Sequence, residues 1–243
     1  MSARNTLANI RIVLIQTSHP GNIGSAARAM KTMGLSELYL VNPKSFPDDQ
    51  AITMSSNATD ILDNAKVVNS VQDALADCHL VVGTSARHER SLAWDILEPR
   101  ECSQQLVKQA QTGTVAVIFG RESSGLTNDE LALCHYLVHI PTNPDYSSLN
   151  LASAVQILSY ECRVASESNI EMTTGEHEEV VTADAMEGYF KHLETAMIES
   201  EFLDPENPKH LMTRLRRLYG RVKVTPSELN ILRGMLVALQ KKK

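Results

Sequence analysis

Ile140-Pro-Thr-Asn-Pro-Asp-Tyr-Ser-Ser-Leu-Asn-Leu-Ala-Ser-Ala-Val155 is the stretch on which the reading of the chain turns. An apolar strand, Leu137 to Ile140, stops at Pro141. Prolines at 141 and 144 stiffen a polar loop and remove two amide donors. From Leu149 the apolar residues Leu151, Ala154, Val155 and Leu158 recur with a helical period. Ser147 and Ser148 stand where the helix is expected to begin. Serine is a good N-cap, and free amides at a helix start attract anions and polar ligand groups. Taken alone, a strand, a stiff loop and a capped helix describe many α/β domains.

Outward from this stretch the same alternation repeats. Apolar runs at Ile10 to Gln16, Glu37 to Val41, Lys66 to Val68, Leu80 to Gly83 and Thr114 to Phe119 predict strands. Helices are expected over Ile23 to Met33, closed by Gly34, over Ala51 to Leu62 in two pieces, over Val71 to Ala76 and over Pro99 to Ala110. Thr17 to Asn22, with Pro20-Gly21, reads as a turn, and Thr127-Asn-Asp-Glu130 as a capping box. His88 to Trp94 reads as a mobile loop. Strands alternating with helices predict a parallel sheet covered on both faces over residues 1–165. Residues 166–182 are polar and acidic, a linker, and residues 183–243 read as a small all-α domain.

The chain has 243 residues, enough for one large or two small domains, and 43% of them are hydrophobic. Its four cysteines (78, 102, 134, 162) form no CxxC pair, which argues against zinc and for reduced thiols in a cytoplasmic protein. No signal pattern or membrane-length apolar run is present. The net charge is −6, yet from Pro208 onward ten basic residues accompany one acid, Glu228. Such a tail suggests a nucleic-acid partner. Within it Arg214, Arg217 and Arg221 share one helix face, and Leu211, Leu215 and Leu218 form a separate stripe expected to pack on the last helix.

Three further segments end buried strands where ligands bind in open α/β folds. Asn22-Ile-Gly-Ser-Ala-Ala-Arg28 contains glycine but is not GxGxxG, and no acid closes the second strand, which argues against dinucleotide binding. No phosphate-binding P-loop occurs. Gly120-Arg-Glu-Ser-Ser-Gly-Leu126 places Arg121 and Glu122 at a buried strand's end, an unusual position for unpartnered charge. Gly83-Thr-Ser-Ala-Arg87 supplies small residues. No Ser-His-Asp order and no metal-ligand spacing is found, so no metal is expected.

Asn22-x-Gly-x-x-x-Arg28, Val117-Ile-Phe-Gly-Arg-Glu-Ser-Ser-Gly-Leu126 and Ile140-Pro through Ser-Leu-Asn150-Leu-Ala-Ser-Ala-Val155 together resemble, in order and spacing, the three motifs of the SpoU/TrmH branch of the SPOUT RNA methyltransferases. With the tail included, the chain resembles the two-domain tRNA enzymes of that branch. The resemblance implies a parallel sheet ending in a deep trefoil knot, a homodimer with sites at the subunit interface, and S-adenosylmethionine as methyl donor. It implies transfer to the ribose 2′-OH of cytidine or uridine at nucleotide 32 of the tRNA anticodon loop. By position, Thr84, Ser85, Ala86, Gly120, Ile140, Ser147, Ser148 and Leu149 would contact S-adenosylmethionine. Arg28 would be catalytic, with Asn22, Glu122, Ser148 and Asn150 around it. Whether Arg28 accepts the proton or stabilises the developing alkoxide is open at this level, because a guanidinium is normally always charged. The alternative of an inactive RNA-binding relative is disfavoured by the presence of both Arg28 and Asn150.

Overall fold

The computed structural model describes residues 6–85, 95–168 and 180–241. Among these, seven strands form one sheet: β1 Ile10–Ile15, β2 Glu37–Val41, β3 Lys66–Val68, β4 Leu80–Thr84, β5 Ile96–Leu97, β6 Val115–Phe119 and β7 Tyr136–Val138. Their order is β3-β2-β1-β6-β4-β7-β5, and every neighbouring pair is parallel. The body's helices are α1 Pro20–Met33, α2 Asp49–Ser55, α3 Thr59–Asp63, α4 Val71–Leu75, α5 Pro99–Gln109, α6 Asn128–Leu131 and α7 Leu151–Ser168. The tail contributes α8 Ala183–Glu199, α9 Leu211–Gly220 and α10 Pro226–Gln240.

The continuous apolar runs follow from burial on two faces. Alternate residues of each central strand enter opposite cores. Ile10, Ile12 and Leu14 with Val115, Val117 and Phe119 face α1, α5 and α7. Val13, Ile15, Ala116 and Ile118 face α4 and α6. The one charge in β1, Arg11, is 3% exposed but fully engaged on its outer nitrogens. It donates to the Ala74 carbonyl and to both Asp77 oxygens, and lies 3.9 Å over the Tyr39 ring. Such pairing is what a buried guanidinium requires.

Several expectations are corrected. α1 begins at Pro20, not Ile23, so Asn22 lies in its first turn; proline suits the first helical position because its missing amide is unpaired there anyway. β5 was not anticipated; two residues are too few to show a period. β7 ends at Val138, short of Ile140. The 88–94 loop and Ala86 lie outside the described residues.

The tail is corrected too. α9 turns Met212, Arg216 and Tyr219 inward, not the Leu211, Leu215, Leu218 stripe; Leu218 is 49% exposed. Arg216 forks onto Glu187 of α8 and stacks over the Phe190 ring at 4.6 Å, so a charged residue occupies a packing position. The tail docks on the body where α8 starts. The Ala183 and Asp184 amides, unpaired within α8, donate to the carbonyls of Cys78 and Ala76. A cavity of about 90 Å³ lies at this seam, between Leu133 and His135 on one side and Met186 and Phe190 on the other. Its charged pair, Arg216 and Glu187, is mutually satisfied, so it is a gap left by docking.

Gly24 sets the spacing between α1 and α2. A Cβ there would lie 2.0 Å from the Ala51 carbonyl oxygen, so the helices approach backbone to side-chain-free backbone. Gly24→Ala must push α2 away. Overpacking of this kind costs about 1–3 kcal/mol, seen as a melting temperature lower by several degrees; an unchanged melting temperature would show that α2 shifts freely.

Candidate active site

Four chain segments meet at the carboxyl edge of the sheet: the β1–α1 turn, the loop after β6, the end of β4, and the loop between β7 and α7. β6 lies beside β1, so the loop carrying Glu122 falls next to the start of α1. That helix start has no side-chain cap of its own and no acid in its first turn. Glu122 supplies what is missing. Its carboxylate accepts from the Ser18 amide at 3.2 Å, the Ser18 hydroxyl at 3.1 Å, the His19 amide at 3.4 Å and Asn22 Nδ2 at 3.1 Å. Negative charge is favoured at a helix N-terminus. Partial burial pushes the Glu122 carboxyl up, but its own amide, Asn22 and Ser18 outweigh that and hold it below the usual range.

Asn22 carries the network onward. Its Oδ1 accepts from Asn150 Nδ2 at 3.0 Å, 128 residues away in sequence. Asn150 Oδ1 then accepts from the amides of Ala152 at 2.9 Å and Ser153 at 3.3 Å. Asn150, not Ser147 or Ser148, therefore caps α7. The two serines and Leu149 lie exposed in the preceding loop. Three of the four catalytic candidates are thus one hydrogen-bonded chain: Glu122, Asn22, Asn150.

Arg28 is not in that chain. It lies six residues beyond Asn22 on α1, about 9 Å further along and about 120° round the helix. Its side chain is exposed and, among the described residues, makes no ion pair or hydrogen bond. Of the other candidates, Thr84 donates its hydroxyl to the Ile118 carbonyl, the Ser85 amide donates to Val138, and His139 Nδ1 donates to the Ser85 carbonyl. These bonds tie the end of β4 to its neighbours β6 and β7. Ile140 is half-buried against the main core.

Gly120 is required by the packing of its own loop. A Cβ there would meet the chain's own Gly125 carbonyl carbon at 2.1 Å and the Leu126 nitrogen at 2.4 Å. The glycine admits the tight 120–126 loop, which Gly125 closes at φ +70 and which the Arg121–Gly125 backbone pair seals. Gln16, Ser18 and Arg121 also belong to the edge and were not anticipated in these roles. Arg121's position at a buried strand's end was the available signal. Among the described residues no acidic, histidine and cysteine group is placed to hold a metal, and no helix is long and apolar enough to cross a membrane. All four cysteines are buried and none is in a disulfide; burial pushes the Cys78 and Cys162 thiols up to about 12.

Asn150→Ala removes the α7 cap and the link to Asn22 together. A lost cap of this kind costs about 1 kcal/mol. Asn150→Asp keeps the capping oxygen, so denaturant unfolding is expected to show most of that loss restored. Equal destabilisation in both variants would mean that the link to Asn22 outweighs the cap.

Comparison with known proteins places this edge in context. A model of the SpoU rRNA Methylase family matches residues 9–160, and one of the tRNA methyltransferase TrmJ C-terminal domain matches residues 184–243. The chain is 52% identical to the tRNA (cytidine/uridine/adenosine-2′-O-)-methyltransferase TrmJ of Pseudomonas aeruginosa, across 97% of this chain and 95% of that one. It is 53% identical to the tRNA (cytidine/uridine-2′-O-)-methyltransferase TrmJ of Pectobacterium atrosepticum, across 97% and 98%. Among solved structures, TrmJ from Z. mobilis superposes with a TM-score of 0.84 at 31% identity, covering 95% of this chain and 98% of that one. A probable methylase family protein from Haemophilus influenzae gives 0.64 at 49% identity, covering 97% of each. Matched over its body by the family model and over nearly its whole length by these relatives, the chain belongs to the SpoU methylase family of methyltransferases and carries a TrmJ-type C-terminal domain.

Proposed function

We propose that this protein transfers a methyl group from S-adenosylmethionine to the ribose 2′-OH of cytidine or uridine at nucleotide 32 of tRNA, working as a cytoplasmic homodimer. The near-full-length identity to tRNA 2′-O-methyltransferases carries the reading of reaction and substrate class. Nucleotide 32, the donor and the dimer rest on the motif resemblance. The same reading divides the chain into a catalytic body, 1–165, a linker, 166–182, and a basic helical domain, 183–243. It also includes the trefoil knot, for which the return of the 140–150 loop from the far side of β4 to Asn22 on α1 is the supporting feature.

The edge suits the donor. Among the described residues the amides of Ser147, Ser148 and Leu149 donate to no other residue, and they stand in the exposed loop after β7. With Thr84, Ser85, Ala86, Gly120 and Ile140 they would hold S-adenosylmethionine largely through backbone. The donor supplies a methyl already activated on a sulfonium. The protein's share is placement and charge: bringing the 2′-oxygen into line, and easing loss of its proton. Asn22 and Asn150 offer amides whose orientation is fixed by Glu122. Arg28, exposed and unpaired by any described carboxylate, supplies positive charge to the developing 2′-alkoxide. Its place on a different face of α1 from Asn22 supports a site completed across two subunits, with Arg28 of one chain serving the other.

Arg28→Ala is expected to abolish transfer of labelled methyl to unmodified tRNA while leaving the fold and S-adenosylmethionine binding intact, since exposed substitutions seldom move stability by more than about 0.5 kcal/mol. Substantial turnover by a folded variant would overturn the assignment, and mapping the methylated nucleotide tests position 32.

The tail would grip tRNA outside the target loop. Arg214 and Arg221 are exposed, Arg217 is half-buried and Arg216 is engaged with Glu187, so the first two are the groups to test. Charge reversal of Arg214 and Arg221 together is expected to weaken tRNA binding and flatten its logarithmic salt dependence by about one to two units, as fewer counterions are released. Identical slopes would make the tail purely structural.

A further inference from the structure

We infer that Arg121 is a positioning residue for methyl transfer, acting by holding the β1 end of the β1–α1 turn whose helix end Glu122 holds; this rests on the proposed function. Arg121 and Glu122 are adjacent, yet they hold different parts of one turn. Glu122 collects donors from Ser18, His19 and Asn22. Arg121 Nε donates to Gln16 Oε1 at 2.7 Å, just before them.

The guanidinium is itself held rigidly. It forks onto Glu130, with Nη1 to Oε2 at 3.0 Å and Nη2 to Oε1 at 2.9 Å, and Nη1 also reaches the Gly125 carbonyl at 3.4 Å. Glu130 is buried and is fixed in turn by the capping box of α6, where it accepts from the Thr127 amide at 2.8 Å. Two parallel bonds between planar groups set direction as well as distance, which a lysine ammonium does not do.

The far end of this brace is strained. Gln16 has φ +48, in the left-handed region that a glutamine seldom adopts, and its amide donates to Val41 at 2.8 Å. A side chain held at a strained turn fixes where the following residues begin. Those residues are Ser18, His19 and Asn22, and Asn22 places Asn150. A run of bonds thus leads from α6 through Arg121 to the amides beside the proposed reaction centre. Displacement of reacting groups by about 1 Å can cost roughly a hundredfold in rate.

The test uses the full-length enzyme, Arg121→Lys, and Arg121→Lys combined with Gln16→Gly. Wild-type methylation of tRNA is the reference; its absence would refute the functional reading and not this inference. Arg121→Lys is expected to lower kcat roughly ten- to hundredfold with the KM for S-adenosylmethionine and for tRNA within about twofold of wild type. Glycine adopts the left-handed conformation freely. Gln16→Gly in the Arg121→Lys background is therefore expected to recover thermal stability without recovering kcat. Recovery of both would show that Arg121 only offsets strain, and overturn the proposal. So would an Arg121→Lys enzyme with wild-type kcat, or one whose loss lies in KM.

Discussion

The carboxylate of Glu122 is the interaction on which the candidate site depends. Parallel pairing of β1 with β6 puts the two outgoing loops side by side. α1 starts there with no side-chain cap of its own. The Glu122 carboxylate from the neighbouring loop accepts from the amides of Ser18 and His19, just before the helix, and from the Asn22 side chain within it, and these donors hold it charged. The consequence is directional. A carboxylate only accepts, so Asn22 must present Nδ2 to it and turn Oδ1 outward. Oδ1 can then only accept, so Asn150 must present Nδ2 and keep Oδ1 for the amides of α7. One charge fixes the orientation of two amides and the entry of two helices.

The sheet was legible because strands buried on both faces leave long apolar runs, and β1, β2, β4 and β6 lie where those runs lie. What escaped did so for identifiable reasons. β5 spans two residues, less than any period needs. Pro20-Gly21 was read as a turn because both residues favour turns, though proline also opens helices. Ser147 and Ser148 satisfy the same cap preference as Asn150; only the inward path of the chain makes the later residue the cap. In the tail, helical spacing separates apolar from charged faces but assumes that arginine faces water. Arg216 breaks that assumption by stacking on Phe190 and pairing with Glu187, and α9 is rotated accordingly, leaving Leu218 outward.

The site was legible in a more limited way. Nothing in spacing alone links Asn22 to Glu122 and Asn150, 100 and 128 residues away; the motif resemblance brought them together, and the hydrogen bonds join them. The charge at the end of β6 carried a signal that could be read further: an arginine there needs an acid. Glu130 was visible only as half of a capping box, and it serves both as cap and as Arg121's partner because its two oxygens can each accept more than one bond. Gly120 carries a second constraint that the motif alone does not show: the space a side chain there would need is filled by the chain's own loop.

These observations divide the edge into two kinds of group. Glu122, Asn22 and Asn150 are bonded to one another, and Arg121 is bonded to Glu130 and Gln16. Arg28, Ser147, Ser148 and Leu149 are exposed, and no described residue bonds the Arg28 side chain or those three amides. The division matches what methyl transfer from a sulfonium demands. The electrophile is already reactive, so the largest contribution open to a protein is to hold the reactants in line, and that requires rigid supports behind groups left free for ligands. A cation bonded into the network would already be neutralised and would have less to offer a developing alkoxide. Arg28 standing apart from Glu122 is therefore consistent with the proposed chemistry.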